Sequence, residues 1–352
     1  MLKAGLALVD ITPSPGSIMA CFPRRRDQQT PPDEASVPGK PDRVPRRAKG
    51  AHDRLHARIL VLSTETETVA LCVGDVVHFT DDDVDHIRAQ VAAQVTQLAG
   101  SRVILAGTHT HASPDTICLF GNTPADPYLG KMRENIAAGI AAAHADREPV
   151  RPYLGRGELA LTHNRRVRDE SGQARMVLEH DEKLTTGPVD PEACVLRLDS
   201  EKGVKAVLFN YAAHALTLGP ANDQYTADYP GEACRRVEAA FPGALALFTN
   251  GGAGNIHPRR CMRGDFTVME EIGGKLAEGV IRFAQKADPL SDDTLLHRNE
   301  TLRFPHSGHF RRGPRNRFHD RRSGGRHARG NPFGRRRNGR GRYAGKPPSI
   351  RL

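Results

Sequence analysis

Residues 102–111 read Arg-Val-Ile-Leu-Ala-Gly-Thr-His-Thr-His. Apart from Arg102, residues 102–106 are apolar and have the length of a buried strand. The chain leaves that strand through Gly107 into Thr108-His109-Thr110-His111, followed by the turn residues Ser113-Pro114-Asp115. Side chains two apart on an extended segment point the same way, so His109 and His111 are expected to face one cavity. Loops leaving strand ends are where α/β domains collect their sites. Two imidazoles on one segment suit zinc, at ligand distances of about 2.0–2.1 Å. A pair of surface or core-satisfied histidines is the alternative.

Working outward, the flanking sequence alternates between strand and helix. Residues 3–12 predict a strand stopped by Pro13, Pro15 and Gly16, and residues 22–50, rich in Pro, Arg, Asp and Lys, predict a long surface loop. Continuous apolar runs at 57–63 and 69–77 predict strands covered on both faces. Asp81 to Asp83 can cap a helix reaching about Leu98. Downstream come a helix over 128–145, a hairpin pairing 194–199 with 204–210, a helix over 230–240, a strand over 244–249 and a helix over 267–285. This order implies an α/β domain built on a mixed β-sheet flanked by helices.

Composition divides the chain differently. A hydrophobic content of 38% and a formal charge of +10 suggest an anionic partner, but the charge is not evenly spread. Residues 305–352 hold fourteen Arg and one Lys against the single acid Asp320, a charge of +14, which leaves residues 1–304 at −4. That tail has no apolar period and is expected to be disordered. It is either an arginine-rich arm that binds nucleic acid or an anionic surface, or an out-of-frame reading of a G+C-rich gene. The abrupt switch inside a strand-like segment, Glu300-Thr301-Leu302-Arg303-Phe304, favours the second. With three Phe and one Tyr for stacking, no specific nucleic-acid partner is expected of it. No segment is apolar and long enough for a transmembrane span. No signal peptide is read, and the six cysteines form no CxxC pair, which fits reduced thiols in the cytoplasm.

Two further motifs follow apolar strands. Asn210-Tyr211-Ala212-Ala213-His214 precedes Asp228-Tyr229-Pro230-Gly231-Glu232, where Pro230 suits the first turn of a helix. Asn250-Gly251-Gly252-Ala253-Gly254-Asn255-Ile256-His257-Pro258-Arg259 offers glycines for close approach and amides for an oxyanion. Together with the opening AGLALVDITPSPG, His52-Asp53-Arg54-Leu55 and Gly187-Pro188-Val189-Asp190-Pro191, these motifs resemble the N-terminal domain of the neutral/alkaline non-lysosomal ceramidase family over about residues 2–290.

The resemblance implies a zinc-dependent hydrolase of an amide (N-acyl) bond in a lipid or other small molecule. It places zinc on His109 and His214, with two more ligands, a Glu and a Tyr, from later motifs. His111 would line the same cavity. Asn164-Arg165 would form a basic substrate-side group, with Asp228, Gly252 and Gly254 also on the substrate side and Arg165 and Asn255 in the catalytic set. Two departures change the expectation. The family's nucleophilic serine is replaced here by His257, so a zinc-activated water becomes the expected nucleophile, with His257 or His111 as proton shuttle. The Glu and Tyr motifs are missing where the arginine-rich tail stands, so weak metal binding and impaired activity are expected.

Overall fold

The structure is a computed structural model that describes residues 1–300, except 28–33, 35, 38, 121–125, 169–170, 179–186 and 292–293. The tail at 305–352, with its expected disorder and altered reading frame, lies outside the described residues.

The first half of the chain builds one five-stranded sheet. Its elements are β1 (Lys3–Asp10), β2 (His56–Ser63), β3 (Thr68–Gly74), α1 (Asp81–Gln94), β4 (Val103–Gly107), α2 (Pro127–Ala145) and the short β5 (Glu148–Pro149). The order is β4-β3-β2-β1-β5, antiparallel except for the parallel pair β3/β4. The second half has β6 (Arg151–Glu158), β7 (Thr162–Asn164), β8 (Glu192–Ser200), β9 (Gly203–Tyr211), α3 (Asp228–Ala240), β10 (Leu245–Asn250), β11 (Ile256–Pro258), α4 (Phe266–Gln285) and β12 (Asp288–Pro289). Its sheet runs β10-β9-β8-β6-β12, again antiparallel except for one parallel pair, β9/β10. The expected mixed sheet flanked by helices therefore occurs twice.

Period-two patterning explains the layers. Along β1, Ala4 and Leu6 face inward while Ala7 and Val9 pack under α2; along β10, Leu245 and Leu247 face inward while Ala246 and Phe248 pack under α3. The inward faces meet in a leucine-rich seam of Leu60, Leu198, Leu208 and Leu247, and the outward faces carry the helices. The result is four layers, helix–sheet–sheet–helix. Arg58 on β2 stitches the halves by donating to the carbonyl of Ala246 at 3.0 Å and pairing with Glu238.

The halves are equivalent residue by residue near their closing strands. Lys3 pairs with Pro149 as Tyr153 pairs with Pro289. Two places along, Gly5 and Gly155 lie where a Cβ would collide with the backbone carbonyls of Ala143 and Phe283, each six residues before the paired proline. Glycine is required at both because a helix backbone lies directly on the strand.

Two expectations need correction. Residues 22–50 are not simply a surface loop: Val44, Arg46 and Ala48 are buried. Polar composition pointed outward, but Arg46 turns in to donate to the carbonyls of Gly219 (3.3 Å) and Asn222, which gives its buried guanidinium backbone acceptors. Helix α1 is capped by Thr80 rather than by Asp81–Asp83. Asp83 closes the box from inside, accepting from the Thr80 amide at 2.8 Å and from Arg133 of α2 at 2.7 Å.

Candidate metal centre

The C-terminal ends of β4, β9 and β10 converge, and three histidines meet there. One ring nitrogen from each of His109, His111 and His214 lies within 4.8 Å of the other two, and among the described residues this is the group of at least three His, Cys, Asp or Glu that meets that spacing. His109 and His111 follow β4, while His214 follows β9 and is buried. The pair after β4 does not converge for the reason expected. His109 has φ 68°, in the left-handed region, so the segment is kinked rather than extended. The kink is held by His109 N–H donating to Val76 O at 3.0 Å and His111 N–H donating to Ala215 O at 3.2 Å. A non-glycine residue there stores strain of a kind that collects at functional sites.

Each imidazole is prepared for a ligand. His109 Nδ1 lies 3.0 Å from Val77 O, and His214 Nδ1 lies 2.6 Å from Ala253 O. A carbonyl only accepts, so both Nδ1 atoms carry the proton and both Nε2 lone pairs remain free, the arrangement typical of histidines that bind metals. Both ring nitrogens of His111 are buried without a hydrogen-bond partner. Burial, followed by neighbouring imidazoles and Arg165, pushes His111 down to about 3; burial pushes His214 to about 4 and lowers His109. Neutral imidazole is the form that binds a metal. The donor set fits a divalent ion of zinc's preference, and His111 adds a third nitrogen to the two that the sequence reading assigned to zinc.

The remaining expected residues fall around this centre in different ways. Arg165 and His257 are brought together, with Arg165 Nη1 donating to His257 Nε2 at 2.7 Å, and the His257 ring centroid lies 5.2 Å from that of His214. Asn255 contributes its backbone carbonyl to the Arg165 amide at 2.8 Å. Asn164 is buried, and its side chain serves the backbone, donating to Pro188 O and accepting from Arg166 N, both at 3.0 Å. Asp228 is also buried, its carboxylate taken up by Thr217 Oγ1 and the Tyr229 amide at 2.6 Å; desolvation holds it up at about 6. Gly252 and Gly254 have open space where a Cβ would stand, whereas Gly251 meets Ala212 Cβ at 2.9 Å. The obligatory glycine of the turn is thus Gly251.

Several participants gave no sequence signal. Val77 and Ala253 act through carbonyls, which any residue carries. Cys21 and Phe22, both at positive φ, place the Phe22 ring 5.7 Å from His111 and under the buried Arg46. Two surface hollows of about 510 and 520 Å³, around Lys205 and around His52, contain none of the clustered histidines. The chemistry is assigned to the histidines because converging lone pairs, not open volume, define a metal site.

Fold and site together define a four-layer α/β protein with a histidine cluster where its two sheets end. Its fold is similar to that of a neutral ceramidase from Pseudomonas aeruginosa, with a TM-score of 0.61 at 19% identity over 81% of this chain and 45% of that one. A ceramidase complexed with C2 gives a TM-score of 0.60 at 19% identity over 81% and 43%. The expected ceramidase-like relation is therefore borne out as a likeness of fold, and the chain spans less than half the length of either structure. By sequence, the chain matches no protein-family model and no curated protein. No helix among the described residues is long and apolar enough to cross a membrane, and none of the six cysteines is in a disulfide.

Proposed function

We propose that this chain is a ceramidase-like metal-dependent hydrolase of amide (N-acyl) bonds in a lipid or other small molecule, with zinc held by His109, His111 and His214. The observation that carries the reading is the convergence of three imidazoles, two of them oriented by backbone carbonyls. Three protein ligands are the usual complement of a catalytic zinc, three histidines being one such set, and a further position stays open for water or substrate. Zinc would supply Lewis acidity, polarising a carbonyl and lowering the pKa of a water to about 7. The chain's own residues orient the donors: Val77 and Ala253 fix the tautomers of His109 and His214, and Phe22 covers His111.

His257 offers no hydroxyl for an acyl-serine route, which favours attack by water. A cytoplasmic location is part of the proposal, in keeping with six cysteines that form no disulfide. A third nitrogen supports firmer metal binding than two histidines alone. Zinc titration of the full chain against single alanine variants tests this. The wild type should take up one equivalent, and His109→Ala, His111→Ala and His214→Ala should each lose on the order of 100-fold in affinity, at or beyond the upper end of outer-shell losses. Unchanged affinity in any of the three would remove that residue from the site. Release of amine from N-acyl amides by the zinc-loaded wild type, absent in the variants, tests the reaction class.

A further inference from the structure

His257 stands where a proton shuttle was expected, but its surroundings suit another task. Arg165 follows β7, which pairs with β11 so that His163 lies opposite His257. Its guanidinium is held at two points: Nη2 donates to Gly254 O at 2.8 Å, and Nη1 donates to His257 Nε2 at 2.7 Å. A guanidinium has donors only, so Nε2 must accept and the ring proton must sit on Nδ1. Nδ1 faces Cys261 Sγ at 3.4 Å, and that sulfur donates onward to Leu178 O at 2.5 Å. Donation therefore runs one way, from Arg165 through His257 and Cys261 to a backbone carbonyl. An imidazole whose lone pair is already engaged, and which is fully buried, is an anchor rather than a shuttle.

The anchor holds a cation beside a site without acids. No carboxylate joins the three-histidine cluster among the described residues, and the Arg165 charge bears on all four imidazoles. Among the described residues Arg165 Nε has no hydrogen-bond partner, and the side chain is only partly buried. A planar guanidinium pinned at two points, with donors left over, matches the geometry of a carboxylate.

We propose that His257 is a positioning residue that fixes Arg165 as a carboxylate receptor, and that the amide hydrolysed here carries an anionic group, as an N-acyl amino acid does. The choice of substrate rests on the amide-hydrolase reading; the receptor itself does not, because it needs no metal.

Two measurements on the full chain test it. In the metal-free wild type, long-range ¹H–¹⁵N correlations should find His257 neutral and protonated at Nδ1 at pH 7; a proton on Nε2 would overturn the proposal. Calorimetry should then compare N-acetylglycine with its neutral counterpart N-acetylglycinamide. A charge-assisted hydrogen bond corresponds to about tenfold or more in favour of the anion. His257→Gln keeps an acceptor facing Arg165 and should retain that preference, whereas His257→Leu should lose most of it while its circular dichroism and zinc affinity stay near wild type. Equal binding of the two probes by the wild type, or an undiminished preference in His257→Leu, would overturn the assignment. Should zinc binding fail while the charge preference stands, the amide-hydrolase reading falls and the receptor remains.

Discussion

The two halves share one blueprint and divide the chemistry unequally. In each, a strand, a hairpin, a helix, a strand parallel to the hairpin's second arm and a second helix follow in the same order, closed by a two-residue strand. They part company in the connections at one end of the sheets. Residues 75–80 join β3 to α1 and contribute no histidine to the cluster, only the carbonyls of Val76 and Val77 that hold His109. The matching connection, 212–227 between β9 and α3, is longer and delivers His214. After the parallel strands the roles reverse: the first half supplies His109 and His111, the second the glycine turn, Ala253 O and His257. The framework is common property, and the site arises where the connections differ, at the carboxyl ends of parallel strands.

If the halves are held by their leucine seam, the largest effect should come from opening it. Leu60→Ala and Leu247→Ala, one from each side, should each cost about 2–5 kcal/mol, read as a fall in the urea midpoint. A loss confined to one of them would show that the seam is not shared. Asp75 then tests a difference. It lies just past β3, where the equivalent second-half position is Ala212, and accepts from His56 N at 2.8 Å. Burial raises its carboxyl from 3.8 to about 7. Because the folded value lies above the unfolded one, the ionised form is penalised in the fold. That penalty is complete above about pH 7, shrinks as pH falls toward 3.8, and is absent below it. Stability attributable to this group should therefore rise from pH 8 to pH 5, and Asp75→Asn should flatten the profile and raise stability at pH 8. Identical slopes in the two proteins would show that Asp75 titrates normally. A smaller, matched effect is expected at the paired glycines: Gly5→Ala and Gly155→Ala each press a methyl into a helix carbonyl, at about 1–3 kcal/mol. Tolerance at one of the two would break the equivalence of the halves.

Much of this was legible in the sequence, for identifiable reasons. Buried strands announce themselves as apolar runs, so β2, β3, β4, β9 and β10 were found to within a few residues, as were the long helices α2 and α4. Strand β6, Arg-Pro-Tyr-Leu-Gly-Arg-Gly-Glu, was not, because its two glycines replace apolar side chains where α4 presses on it. The likeness of the halves was invisible for a related reason: what they share is backbone approach, and beyond Gly5 and Gly155 that leaves little trace in residue type. That His109, His111 and His214 share one cavity was legible from their motifs, although His111 was expected there as a proton shuttle rather than as a third donor. The kink at His109 and the carbonyls behind the rings were not, since neither depends on a side chain that a reader could single out.

The glycine turn offers the finest comparison, within a single loop. Gly251 donates its amide to Tyr211 O at 3.2 Å and lies against Ala212, while Gly252 stands in open space and Ala253 presents the carbonyl that orients His214. A methyl on Gly251 meets Ala212 Cβ at 2.9 Å, closer than unbonded carbons tolerate, so the turn must shift and carry the Ala253 carbonyl with it. Misplacing a group that orients a ligand costs about 10–100-fold in metal affinity. Gly251→Ala should therefore weaken zinc binding toward the lower end of that range, through His214 alone, and Gly252→Ala should leave it unchanged. In the first half the same task falls to Val77 O, and a Cβ at Gly107 would meet the Val76 and Val77 carbonyls at 2.7 and 2.8 Å. Gly107→Ala should consequently disturb His109 as Gly251→Ala disturbs His214, and combining the two should add their losses if each half orients its own ligand independently. A combined loss clearly smaller than the sum would mean that the two ligands are oriented as one unit.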